Sequence, residues 1–297
     1  MSEKTEISAL GERYREVLNR HGYGFQYSVI RFIENLYKGQ PDWELEESEF
    51  PVAVRNMQTR IDFIFRKRAP LVYLVGECKR VNPAFSNWCF ANSPFARPNS
   101  RSDKIILQSA WAAPQSRTSA SGMIPDINKR MLTGVLSAEA PKIYRVGLTV
   151  KSDQPGDRAG KTTDAIEDAA GQVCKGLNGF IEFFHSQRQT MPEGTKLYFL
   201  PVIFTTARLW TTDTDLASAN IDIGEFEAGS VALKEANWIW YQYNISPALK
   251  HTLPVDEADH RNPFDLNRAL ELEFTRTIAI VSVNGIQDFL RQGFPFR

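Results

Sequence analysis

Two carboxylates and a lysine fall on two neighbouring runs of β-branched and aromatic residues. Asp62 lies in the run 60–67, and Glu77 and Lys79 lie in the run 71–81. Such runs on either side of a short Arg-Ala-Pro turn predict a β-hairpin. Two carboxylates held close together repel each other unless a cation lies between them, and Mg²⁺ binds one or two carboxylates, water and a phosphate oxygen. The three residues therefore indicate a metal-dependent hydrolytic site, in which the lysine acts on water or on developing charge.

The register of this hairpin decides whether the three side chains meet. If the hairpin is centred on the Ala-Pro peptide bond, Asp62 lies opposite Glu77 and Arg60 lies opposite Lys79, and the Cβ atoms of such pairs are about 4.5–5.5 Å apart. Side chains alternate along a strand, so Glu77 and Lys79 share one face. The other face is predicted to pack into the core through Ile61, Phe63, Phe65, Val72, Leu74 and Cys78.

A ladder of cross-strand ion pairs, Asp with Arg and Glu with Lys, is the alternative interpretation of this hairpin. It would suit a strand face exposed to solvent. The flanking apolar runs and Gly76 indicate instead the interior of a sheet, where unpaired carboxylates cost several kcal/mol. The pattern therefore favours a cation site.

The pattern Arg-Ile-Asp-Phe-Ile, followed by Val-Gly-Glu-Cys-Lys-Arg, resembles the PD-(D/E)XK nuclease superfamily. The motif of that family is an Asp at the end of one strand and E-x-K on the next. Here Ile61 precedes Asp62 where the family pattern has Pro. The resemblance implies a restriction-endonuclease-like α/β fold, with a mixed central sheet flanked by helices. It also implies an endonuclease that hydrolyses DNA phosphodiester bonds with Mg²⁺ or Mn²⁺, in bacterial defence or restriction, with Asp62 and Glu77 as metal ligands and Lys79 as a catalytic residue.

Two further site positions follow from the resemblance. Many members of the family carry an additional Glu on the first core helix, and Glu34 and Gln26 are the candidates here. Glu34 lies nearly opposite the apolar stripe of its helix, whereas Gln26 lies at the edge of that stripe, so Gln26 is preferred. Related nucleases also place a Gln on the crossover helix, which makes Gln172 a candidate, although a solvated glutamine is an equally good interpretation.

The rest of the chain predicts one domain, residues 1–297, of alternating helices and strands. The match to the nuclease core covers residues 24–82 and 143–210, with an insertion at 83–142 and C-terminal strands and a helix at 230–297. Helices are predicted at 5–20, 24–39 and 162–188, with a helical stretch near 104–112 and a short terminal helix. Strands are predicted at 43–54, 60–67, 71–81, 143–152, 196–210, 236–245 and 275–284.

Charge is uneven along the chain, although 35 basic residues balance 35 acidic ones. Residues 41–50 hold five acids and no base, and residues 55–80 hold seven bases and two acids. The basic segment predicts a DNA-contacting surface, with RNA left open as a substrate. The candidate nucleic-acid contacts are Arg60, Arg66, Lys67 and Arg80. A homodimer and subunits of a defence complex are the protein partners left open.

Other classes of protein find little support in the sequence. No run has the length of a membrane helix, and the charged N-terminus predicts no signal peptide, so we expect a cytoplasmic protein. The segment 156–162 resembles a phosphate-binding loop but has three residues between its glycines where that motif has four. A nucleotide hydrolase that uses Lys161 is therefore the weakest alternative. A nuclease-like protein without catalytic activity, which binds nucleic acid or a partner, is the second hypothesis.

Overall fold

The computed structural model describes residues 3–39, 42–54, 57–69, 71–81, 86–92, 107–111, 122–123, 134–140, 165–186, 196–244 and 275–293. Two helices, α1 (Glu3–His21) and α2 (Tyr23–Leu36), open the chain. A long helix, α3 (Ala165–Ser186), follows later, and a helical segment covers residues 283–293. These elements confirm the helices predicted at 5–20, 24–39 and 162–188 and the short terminal helix. None of the helices in this described part has the length and apolar character that crossing a bilayer requires.

Twelve strands lie within the described ranges. In chain order they are β1 (Trp43–Val54), β2 (Met57–Arg68), β3 (Leu71–Lys79), β4 (Asn87–Asn92), β5 (Leu107–Trp111), β6 (Gly122–Met123), β7 (Gly134–Ala140), β8 (Lys196–Thr205), β9 (Arg208–Thr212), β10 (Lys234–Ala236), β11 (Trp238–Asn244) and β12 (Thr275–Ser282). The hairpin strands, the strand after α2 and the two C-terminal strands agree with the prediction.

The strands form two sheets. The central sheet has the order β1-β2-β3-β8-β12-β11, and β5 pairs with β8 and with β6. Its first three strands are antiparallel, β3, β8 and β12 run parallel, and β11 is antiparallel to β12. A smaller sheet has the order β10-β9-β4-β7. The fold is therefore mixed α/β, with a mixed central sheet flanked by helices.

Helices cover both faces of the β1-β2-β3 part of the central sheet. On one face, α2 and the segment 283–293 pack over residues that include Phe63, Phe65 and Leu74. On the other face, α3 packs over residues that include Ile61 and Ile64. Apolar burial on two faces is what holds a central strand between helices. Any polar group at this part of the sheet is consequently held close to apolar surroundings.

Helix α2 turns one side toward the sheet. Its buried residues are Gln26, Val29, Ile30 and Ile33, while Phe32 is 44% exposed. Gln26 is thus a polar side chain on the buried side of the helix.

Two predicted elements are wrong. The stretch near 104–112 contains a strand, β5, instead of a helix, because its residues pair with the start of β8. The predicted single strand 196–210 is two strands, β8 and β9, that belong to different sheets. A turn separates them, in which the Ala207 N–H donates to the Thr205 hydroxyl over 3.1 Å. The predicted strand 143–152 and the loop-like motif at 156–162 lie outside the described residues.

Candidate active site

The predicted register of the β2–β3 hairpin is confirmed. Paired positions run from Arg68 with Leu71 to Phe63 with Gly76. Beyond Gly76, β3 continues along β8, but its pairing with β2 has ended. Asp62 and Glu77 are the next residues on the two strands, so they lie side by side where the strands separate.

Gly76 is required by the packing at this point. A Cβ atom built on Gly76 would overlap the ring of Phe63, which is fully buried in the core below the site. Glycine lets the aromatic ring lie against the backbone of β3. The glycine before the acid therefore supports the close packing under the site.

The Asp62 carboxylate replaces one of the missing backbone bonds. Its Oδ2 accepts a hydrogen bond from the Cys78 N–H over 2.6 Å. The pKa of Asp62 is raised to about 6, chiefly by burial and also by the Glu49 carboxylate, while the Cys78 N–H and the Lys79 ammonium act in the opposite direction. The Asp62 side chain is thus fixed in position. The positive charge around it is too small to keep its pKa at the ordinary value for an aspartate.

Glu77 is in a similar environment. The pKa of Glu77 is raised to about 8, chiefly by burial and then by repulsion from Asp62 and Glu49, against the attraction of Lys79. Two neighbouring carboxylates with raised pKa values are what burial and mutual repulsion produce when no cation compensates them. The pair is therefore electrostatically suited to receive a cation.

A third acid, Glu49, reaches the site from β1. The β1–β2 pairs Ser48 with Phe63 and Phe50 with Ile61 lie on either side of Glu49 and Asp62, which are adjacent but not paired. Glu49 has φ 54°, and no other non-glycine residue in the described ranges has a positive φ. Sequence reasoning noted the acidic run around Glu49 but assigned it no role. The missed signal is a second hairpin, β1–β2, whose register places Glu49 opposite Asp62.

Gln26 connects these two strands from α2. Its Nε2 donates to Glu49 Oε1, and also to the backbone carbonyl of Asp62 over 3.0 Å. Gln26 is 4% exposed, whereas the alternative residue Glu34 lies on the exposed side of the helix. The structure brings Gln26 into the site and leaves Glu34 outside it.

Lys79 lies on the side of the site that faces α3. Its Nζ donates to Gln172 Oε1 over 3.4 Å, so the two residues that the sequence placed far apart are in contact. Five of the six residues predicted for the core face do share one cluster, namely Phe63, Phe65, Val72, Leu74 and Cys78. The prediction is wrong for Ile61 and for the opposite face, which packs under α3 instead of being left to the site. Ile61 packs against Gly176 of α3, because the break at Asp62 reverses the alternation of side chains along β2.

The four candidate nucleic-acid contacts divide into two groups. Arg60 is at the site, where its Nη1 donates to Glu49 Oε2 over 2.9 Å, and Arg80 donates to the Asn19 carbonyl over 2.9 Å. Arg66 and Lys67 lie four and five residues further along β2, about 13–17 Å from Asp62.

That second group already has partners on β1. Arg66 forms ion pairs with Glu44 and Glu46, and the Lys67 ammonium lies 6.0 Å from the centre of the Trp43 ring. The acidic run 41–50 thus neutralises part of the basic segment. The structure does not bring Arg66 and Lys67 to the carboxylates.

The residues present fit a hard divalent cation of the Mg²⁺ type. Within the described ranges, no group of three His, Cys, Asp or Glu side chains is arranged to hold a metal ion. Mg²⁺ is usually held by one or two carboxylates, with water and substrate oxygens as its other ligands. The Asp62 and Glu77 carboxylates match that requirement, whereas a zinc site would need a closed set of nitrogen or sulfur ligands.

Comparisons of the chain with protein-family models, with curated proteins and with solved structures give no match. The chemistry of the site is therefore what indicates a function. That chemistry consists of paired carboxylates, a neighbouring lysine and a supporting amide at a break in the sheet.

Proposed function

We propose that this protein is a Mg²⁺-dependent nuclease that hydrolyses DNA phosphodiester bonds. Asp62 and Glu77 hold the cation, and Lys79 acts beside them. The observation that carries the proposal is the pair of neighbouring carboxylates whose pKa values burial and mutual repulsion raise. A role in bacterial defence or restriction belongs to the same proposal and depends on the sequence resemblance alone.

Each residue of the site has a distinct task in this reaction. When bound, the cation supplies a more acidic water and stabilises negative charge on the phosphate. Lys79, which Gln172 holds over the site, orients the attacking water or compensates charge on the non-bridging phosphate oxygens. Gln26 fixes the backbone of Asp62, so that the carboxylate keeps the direction which its bond to Cys78 gives it.

Cleavage of supercoiled plasmid and of a labelled duplex in Mg²⁺ tests this assignment. Asp62→Asn and Glu77→Gln keep the size of each side chain and remove its charge. We expect each to lower the rate by at least about a hundredfold, while the fold is retained, as checked by circular dichroism. Ca²⁺ is expected to support DNA binding without turnover.

Glu227→Gln is the matched control, because Glu227 is an exposed acid in the loop between β9 and β10. It should cleave at the wild-type rate. Wild-type rates in both Asp62→Asn and Glu77→Gln would show that the site is assigned wrongly. The same series with a labelled RNA decides between the two kinds of nucleic acid.

A further inference from the structure

A cavity of about 520 Å³ lies between α2 and β1. Its lining includes Tyr27 and Ser48, which are the chain neighbours of the site residues Gln26 and Glu49. Cavities of about 300–1,000 Å³ are the usual size of small-molecule sites.

The lining combines the groups that recognise a nucleotide. Ile30 and Leu45 give it an apolar floor, and Tyr27, which is 50% exposed, gives it an aromatic wall. Arg31 and Glu34 supply one cation and one carboxylate at the same cavity. Aromatic rings stack on unpaired bases, and arginine contacts phosphate.

Tyr27 also links the cavity to the site itself. Its hydroxyl lies close enough to the Arg60 guanidinium to interact with it electrostatically, and Arg60 is bonded to Glu49. A substrate whose phosphate is near Arg60 would therefore have its adjacent base within reach of the Tyr27 ring.

We infer that this cavity binds an unpaired base next to the phosphate that is cleaved, so that the substrate is single-stranded or locally unpaired nucleic acid. The inference rests on the proposed function. Tyr27 stacks on the base, Arg31 contacts the backbone, and Glu34 accepts a hydrogen bond from the amino group of the base. Because a carboxylate accepts from the amino group of cytosine and thymine has none, the cavity prefers cytosine to thymine.

Anisotropy titrations in Ca²⁺ with labelled oligo(dC), oligo(dT) and a duplex test this inference. Wild-type protein should bind the single strands more tightly than the duplex. Tyr27→Ala should weaken single-strand binding about fivefold or more, and Tyr27→Phe should retain it. Glu34→Gln should reduce the preference for oligo(dC). Tyr14→Ala is the control, because Tyr14 is 64% exposed on α1 and should have no effect.

The outcomes separate this inference from the nuclease proposal. If Tyr27→Ala binds and cleaves as the wild type does, or if Tyr14→Ala weakens binding equally, the cavity inference is wrong and the nuclease proposal stands. If single-strand binding depends on Tyr27 but Mg²⁺ gives no cleavage, the cavity inference stands and the nuclease proposal is wrong. If no oligonucleotide binds, both are wrong.

Discussion

Replacing Glu77 by glutamine should stabilise the protein in the absence of divalent cations. Burial and the Asp62 carboxylate raise the pKa of Glu77 from 4.5 to about 8. Because the native pKa lies above the unfolded one, the native state binds more protons between these values, and the free energy of unfolding falls as the pH rises from about 4.5 to about 8. Each pKa step corresponds to about 1.4 kcal/mol, which sets an upper limit of about 5 kcal/mol for the lost stability.

The expected gain from Glu77→Gln is smaller than this limit, because the amide is buried in the same place and Asp62 shares the repulsion. We expect about 2 kcal/mol at pH 8 and close to none at pH 4.5. In a chain of this size, this corresponds to a rise of about 4 °C in the melting temperature.

Thermal unfolding with EDTA at the two pH values measures this gain. The wild type in Ca²⁺ at about a hundred times its dissociation constant should gain about 2.7 kcal/mol, and Glu77→Gln should gain little. Glu227→Gln, with its exposed acid, should behave as the wild type. The reasoning fails if Glu77→Gln is destabilising at pH 8, or if Ca²⁺ stabilises this variant as much as the wild type.

Three further changes test other parts of the site. Lys79→Met should lower the cleavage rate about a hundredfold. Its Mn²⁺ affinity, measured by calorimetry, should stay within about twofold of wild type, since Lys79 contacts Gln172. Lost Mn²⁺ binding would contradict the role assigned to Lys79. Gly76→Ala should destabilise the fold by about 1–3 kcal/mol in urea unfolding, because its Cβ would overlap a buried ring. Arg60→Ala should reduce the magnitude of the slope of log K against log salt by about one, because Arg60 lies at the site. Arg66→Ala should leave the slope unchanged, because Arg66 lies about 13 Å from Asp62 along β2 and pairs with two glutamates.

The β2–β3 hairpin could be predicted because the residues that determine it are close together in the sequence. A short turn and the alternation of apolar residues fix the register of two strands, and the observed pairs between Phe63 and Gly76 and between Arg68 and Leu71 follow it. Lys79 and Gln172 were both proposed as site residues, and their contact arises because α3 packs across the end of β3.

The remaining features depend on tertiary contacts. Helical periodicity could not predict β5, since its pairing with β8 comes from residues almost 90 positions away in the chain. Ile61 is buried under α3 because the break in β2 at Asp62 reverses the direction of its side chain. The expected alternation of side chains holds only along an unbroken strand. Glu49 was not predicted because the sequence did not identify the β1–β2 hairpin, whose register places Glu49 opposite Asp62. Its positive φ is likewise not demanded by the residue type.

The break in the sheet explains how the three acids come together without leaving the backbone unsatisfied. Between the Ser48–Phe63 and Phe50–Ile61 pairs of β1 and β2, the Gln26 amide donates to the carbonyl of Asp62. Where β2 and β3 stop pairing, the Asp62 carboxylate accepts a hydrogen bond from the Cys78 N–H. Side chains thus replace the lost ladder bonds, but Glu49 keeps a backbone conformation that costs about 1 kcal/mol or more. Repulsion between the carboxylates adds to that cost. A well-packed core compensates for both, and strain of this kind is what the proposed reaction leads us to expect at its site.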